Sequence, residues 1–188
     1  MPFDPASFES EVALKLIPTE QLPMVAQDAL EGGFDGPHVL RMAILEPSAG
    51  WAIDQALPPM LAELGCQAIP PKEAALRLAQ IRARRILETG EDPIPSLPFF
   101  YRLMWAADYP EELIELGYFD DVNFGLFDVP EEKRTRAREA LEELLSPELR
   151  QKRLIEKGRM GPRNGEGQKR MALRAEFAYR TRLTERTV

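Results

Sequence analysis

One cysteine and one histidine are the only thiol and imidazole in the 188 residues of this chain. Cys66 alone forms neither an internal disulfide nor a thiolate-clustered zinc site, which suits a reducing compartment. His38 alone excludes a His-pair zinc site and leaves a single imidazole base. It follows Gly36-Pro37 with no nucleophile motif beside it, so it reads as an ordinary surface or capping residue. Cys66 follows Gly65 at the end of an expected helix, without a basic neighbour to lower its pKa, and reads as a buried, inert thiol.

Long apolar runs are missing as well, since none approaches the roughly 18 to 20 residues of a membrane span. Asp4 and Glu9 stand in the first ten residues without a basic stretch. Neither a signal peptide nor a membrane helix is therefore expected, and a cytoplasmic location is. No GxxxxGK[ST] loop and no GxGxxG motif occurs. The glycines from Gly161 to Gly167 lack the strand-turn-helix setting that aims amides at phosphate. Asp121, Asn123 and Glu132 imitate positions 1, 3 and 12 of a calcium loop, but Gly125 and Leu126 occupy its fifth and sixth positions. No metal, no cofactor and no catalytic activity are expected.

What is present is helix punctuation. The composition, 44% hydrophobic and 29% charged, is that of a folded protein. Asp4-Pro5 opens a helix to about Leu16, and Thr19 caps a second that Gly32 and Gly33 end. Pro37 opens a third to about Leu45, and Ser48 caps a fourth that ends at Gly65, with a kink or break expected at Pro58-Pro59. The best-marked helix runs from Pro71 or Lys72 to Thr89 and stops at Gly90. Leu76, Ala79, Ala83, Ile86 and Leu87 form one stripe on it; Ala74, Leu78 and Ile81 form a second, so two packed faces are expected. Arg85 lies near that second stripe and needs either a carboxylate partner or a route to water.

Further helices are expected to about Ala107, with Leu97, Phe100, Tyr101 and Met104 together, then from Pro110, and from Pro130 to Leu145. Tyr118 to Val129 reads as irregular. The expected fold is all-α: a compact bundle of short helices over residues 1–146, followed by a basic extension over 147–188. Within the extension, a linker at about 158–167 precedes a helix from Gln168 to about Thr184.

Charge divides at the same place. Residues 1–146 hold 12 Lys/Arg against 26 Asp/Glu, a net charge of −14, and residues 147–188 hold 12 against 5, a net charge of +7. Between Arg102 and Lys133 no basic residue occurs. That stretch carries Asp108, Glu111, Glu112, Glu115, Asp120, Asp121 and Asp128, interleaved with Tyr109, Tyr118, Phe119, Phe124 and Phe127. Carboxylates on one surface speed encounter with a cationic partner, and rings supply short-range anchors. A docking face for a basic protein is the leading expectation, set against a bland reading in which the rings are core and the acids a solvated rim.

In the extension, Lys169, Arg170, Arg174, Arg180 and Arg182 can meet phosphates while Phe177 or Tyr179 stacks on a base. The same residues can instead bind the acidic body of this chain or of a second copy. Nucleic-acid binding is the less favoured of the two, because the body repels a polyanion. A third reading is an enzyme without a motif, using Asp108 or Asp121 with Arg85.

Three stretches carry a resemblance: Ala29 to Leu40 (ALEGGFDGPHVL), Ala74 to Gly90 (AALRLAQIRARRILETG) and Tyr109 to Leu113 (YPEEL). They resemble a diffuse group of small, uncharacterised all-helical bacterial proteins, some of them like the immunity proteins of toxin systems. The similarity covers about Pro18 to Leu145. It implies a helical fold and a toxin as partner, and it supplies no catalytic residues.

Overall fold

The computed structural model describes residues 3–119, 130–146, 148, 149, 151 and 155. Its helices are α1 (Pro5–Ala13), α2 (Leu22–Glu31), α3 (Pro37–Ala43), α4 (Gly50–Glu63), α5 (Pro71–Thr89), α6 (Leu97–Ala106), α7 (Ile114–Gly117) and α8 (Pro130–Leu145). Single 3-10 turns stand at Thr19–Gln21, Ile94–Ser96 and Glu111–Leu113. Among the described residues there is no strand, and no helix is long and apolar enough to cross a membrane. The expected linker at 158–167 and helix at 168–184 lie outside the described residues.

The ends of these helices follow from local chemistry. Asp4 caps α1 by accepting the Ser7 hydroxyl together with the amides of Ala6 and Ser7; these bonds, the hydroxyl foremost, hold its carboxyl below the usual range. Four helices close in one way: the amide of Leu16, Phe34, Cys66 or Tyr109 returns to the carbonyl of Glu11, Ala29, Leu61 or Met104 at 2.9–3.0 Å. Each closure holds one residue left-handed. Gly33 and Gly65 meet that requirement with no Cβ to clash, whereas Lys15 at φ 54° and Asp108 at φ 58° carry a side chain through it.

For α4, the break half of the kink or break expected at Pro58-Pro59 is absent, and the Ser48 cap is corrected. The helix runs unbroken through Pro58 and Pro59. The carbonyls that lose their donors belong to Asp54 and Gln55, which are exposed, so solvent can take the missing bonds. Ser48 does not cap this helix, which starts at Gly50 with no side-chain cap bond; its hydroxyl donates to Glu46 at 3.5 Å.

Burial gathers in two cores. Helices α1 to α4 enclose Phe8, Met42, Ile53 and Met60, and the second core holds Phe100, Leu103, Met104, Leu113, Leu116 and Phe119 around α5. Ala74, Ala75, Ala79 and Ala83 are buried on α5, and such small side chains let α1, α6 and α8 pack closely round it. Ile81, expected in the second stripe, is exposed. Arg85 uses both routes expected for it: Nε donates to Glu91 at 3.3 Å, and the head reaches solvent. Between the two cores, Glu9 of α1 accepts the Gln67 amide and the Arg77 guanidinium of α5.

Candidate functional site

The base-free stretch begins in the last turn of α6. Leu97, Phe100, Leu103 and Met104 turn one side of α6 into the second core, which leaves positions 101 and 105 on the outer side. Tyr101 is 41% exposed and Trp105 39%. Asp108 then takes the left-handed closing position, and Tyr109 follows with a second positive φ of 61°. Tyr109 also precedes Pro110, which restricts its backbone further. Two successive strained residues of this kind cost about 1–3 kcal/mol each and persist only where the surroundings over-determine them.

The surroundings here are α7 and its leading turn. Gly117 lies against Met104 so closely that a methyl carbon at Gly117 would stand 2.5 Å from the Met104 sulfur and 3.1 Å from its Cβ. That approach brings Tyr118 to the end of α6. The four rings form a closed circuit: Tyr101 to Trp105 6.2 Å, Trp105 to Tyr109 5.1 Å, Tyr109 to Tyr118 6.4 Å and Tyr118 to Tyr101 6.2 Å between centroids. Tyr109 and Tyr118 are stacked, and the other three pairs are tilted or edge-on.

The carboxylates of the stretch divide into two kinds. Asp108 and Glu111 are exposed beside the rings. Glu112 is tied to Lys72 of α5 at 2.9 Å, and Glu115 to Arg136 of α8. Arg136 is itself largely buried, and it reaches Glu139 at 3.1 Å and Glu143 at 3.9 Å. Glu112 and Glu115 are thus struts between elements as well as sources of negative potential. Phe119, expected among the interleaved rings, is wholly buried in the second core. Asp120, Asp121, Phe124 and Asp128 lie outside the described residues, as do Lys169, Arg170, Arg174, Phe177, Tyr179, Arg180 and Arg182.

Sequence periodicity alone puts Tyr101 in the core stripe of α6 and does not single out Trp105, yet both are exposed. One residue of helical phase, about 100°, separates the stripe at 100 and 104 from the pair at 101 and 105. The i, i+4, i+8 spacing of Tyr101, Trp105 and Tyr109 was the available signal.

The two isolated ligand residues sit elsewhere. His38 is the second residue of α3, and its amide donates to Glu63 at 2.8 Å. Cys66 is half-buried; burial foremost, and then the charges of Glu9 and Asp4, push its thiol up, away from the reactive thiolate. Among the described residues no three His, Cys, Asp or Glu side chains converge on a metal-sized site. A shallow, open cleft of about 500 Å³ lies along Pro70, Lys72, Glu73, Leu76, Arg77 and Gln80. Lys72 and Arg77 there are already bridged to Glu112, Glu73 and Glu9. No family model, no curated protein and no solved structure matches the chain.

Proposed function

We propose that this chain is a non-catalytic interaction module that binds a basic protein segment over the ring circuit of Tyr101, Trp105, Tyr109 and Tyr118. The observation that carries the reading is the junction of two exposed rings, Tyr101 and Trp105, and two partly buried ones, Tyr109 and Tyr118, with Asp108 and Glu111, in a stretch free of cations from 103 to 132. A guanidinium or ammonium within about 6 Å of such ring faces gains about 0.5–1 kcal/mol per contact, and neighbouring carboxylates add attraction that salt weakens. The paired strain at Asp108 and Tyr109 favours a binding role, because backbone outliers cluster at such sites. A cytosolic toxin is one partner of this chemistry, as the immunity-type resemblance implies.

The test keeps the struts intact. Full-length protein carrying Trp105→Ala, or Asp108→Lys with Glu111→Lys, is compared with the unaltered chain in capture from the native host at low salt. Loss of one basic partner in both variants, about tenfold or more, supports the reading. Equal recovery from all three overturns it.

A second reading has one observation in its favour, the charge of +7 over residues 147–188. Binding of single-stranded RNA or DNA by that extension would fall steeply with salt and vanish when the chain stops at Ser146. Absence of binding at about 50 mM salt removes this reading.

A further inference from the structure

The four rings of the circuit are joined side by side, at 6.2, 5.1, 6.4 and 6.2 Å between successive centroids. However a closed figure with such sides is folded, its centre lies within about 6 Å of every corner, the range over which a cation is drawn to a ring face. One charge at that centre, or just outward of it, therefore meets Tyr101, Trp105, Tyr109 and Tyr118 together. Tyr109 and Tyr118 are parallel to within 13°, while Tyr101 stands 77° from Tyr118 and Trp105 55° from Tyr109. The rings thus present planes of more than one orientation, unlike a single pair of plates. Tyr101 and Trp105, the exposed members, open the circuit to solvent. It is also formed in advance of any partner: Tyr109 is held at φ 61° ahead of Pro110, and the fit of Gly117 on Met104 seats Tyr118, so little ordering is left for binding to impose.

Cationic groups carried by proteins differ in how they suit that centre. A guanidinium is planar, with two faces for rings and five N–H donors round its edge that need oxygen acceptors. A lysine ammonium is compact and strongly hydrated, and its three donors lose water when rings close on it. Either group leaves donors unsatisfied among ring faces, at a cost that offsets the attraction. A trimethylated ammonium has no N–H donor, is nearly spherical, and spreads its charge over methyl groups that rings touch from several sides. The acids agree with it. Asp108 and Glu111 are exposed in a stretch without Lys or Arg from 103 to 132, so they attract the charge through space and need no hydrogen bond from it.

We infer that the ring circuit receives an Nε-trimethylated lysine side chain of the basic partner segment, with Asp108 and Glu111 attracting the cations that flank it. The inference rests on the proposed function and names the group that anchors the partner.

The chain has two tryptophans, and Trp51 is 79% exposed outside the circuit, so full-length protein with Trp51→Phe keeps its core and leaves Trp105 as the only reporter. A short peptide rich in lysine and arginine is titrated with its central lysine unmodified, Nε-trimethylated, or replaced by the neutral tert-butyl isostere of the trimethylated side chain. Trp105 fluorescence reads occupancy, and calorimetry gives Kd. The expected result is a trimethylated peptide about tenfold or more tighter than either of the others. By calorimetry, Trp105→Leu should erase that margin and Trp105→Phe, which keeps a ring, should retain most of it, with circular dichroism confirming the fold of both. An unmodified peptide that binds as tightly as the trimethylated one overturns the inference. So does an equally tight neutral isostere, which reduces the contact to apolar burial. Choline alone binding as tightly as the trimethylated peptide overturns it too, by making the circuit a site for a small free cation. A basic partner lost from Trp105→Ala in the capture experiment, with no preference among the peptides, leaves the proposed function standing and this inference overturned, so the two failures are told apart.

Discussion

Two glycines show how single atoms decide local structure here. Gly36 leaves the space into which the Glu63 carboxylate of α4 fits, where it accepts the amides of His38 and Val39 at 2.8 and 2.9 Å and caps α3 from another helix. Any Cβ at position 36 would collide with that carboxylate. Gly117 lets α7 close on Met104, and on that contact depends the position of Tyr118 in the ring circuit. Gly117→Ala should lower stability by about 1–3 kcal/mol, because the added carbon meets the stem of Met104 as well as its mobile end. A urea midpoint equal to that of the unaltered protein would show that α6 and α7 approach less closely than described.

At the scale of elements, helix starts and stops are legible in single residues, whereas the continuity of α4 through two prolines is not. The start expected at Pro71 or Lys72 falls at Pro71, and the stop at Gly90 and the span from Pro130 to Leu145 match the structure, because fixed φ at a helix start and the left-handed region at its end are properties of single residues. The break expected at Pro58-Pro59 is absent because Ile53, Ala56 and Met60 bury one side of α4 across both prolines, and that packing outweighs the two lost bonds. Pro58→Ala restores a donor to the Asp54 carbonyl and removes a ring clash. The gain in the folded chain should exceed the entropy returned to the unfolded one, for a net of about 1 kcal/mol and a Tm higher by a few degrees. A lower Tm would mean that the Pro58 ring itself packs favourably.

Across the whole molecule, Glu9 is the polar link between the two cores. Its carboxyl is held below the usual range, first by the Gln67 amide and then by Arg77, while the Arg77 guanidinium is pushed up in turn, chiefly by its bond to Glu9. A carboxyl depressed by folding adds stability that is present above its unfolded value of 4.5 and is lost as pH falls through the lower folded value. Glu9→Gln keeps an acceptor for the amide but loses the charge. It should cost about 1 kcal/mol at pH 7 after solvent screening at Arg77. It should also reduce the fall in stability between pH 5 and pH 3, read as urea midpoints. An identical acid profile in the two proteins would locate the acid-sensitive link elsewhere, with Asp4, whose carboxyl is also depressed, as the next carboxylate to alter.

The sequence by itself determined that the chain is helical, where most helices begin and end, and that carboxylates and rings crowd the stretch after Arg102, because capping, backbone freedom and periodicity act over a few neighbouring residues. Only the tertiary structure decided which of those groups meet. It turned Phe119 inward and set Glu112 and Glu115 against Lys72 and Arg136, and it paired Tyr101 and Trp105 with Tyr109 and Tyr118. Those outcomes depend on the angle at which α7 returns over α6, a long-range contact made possible by the close fit of Gly117 on Met104.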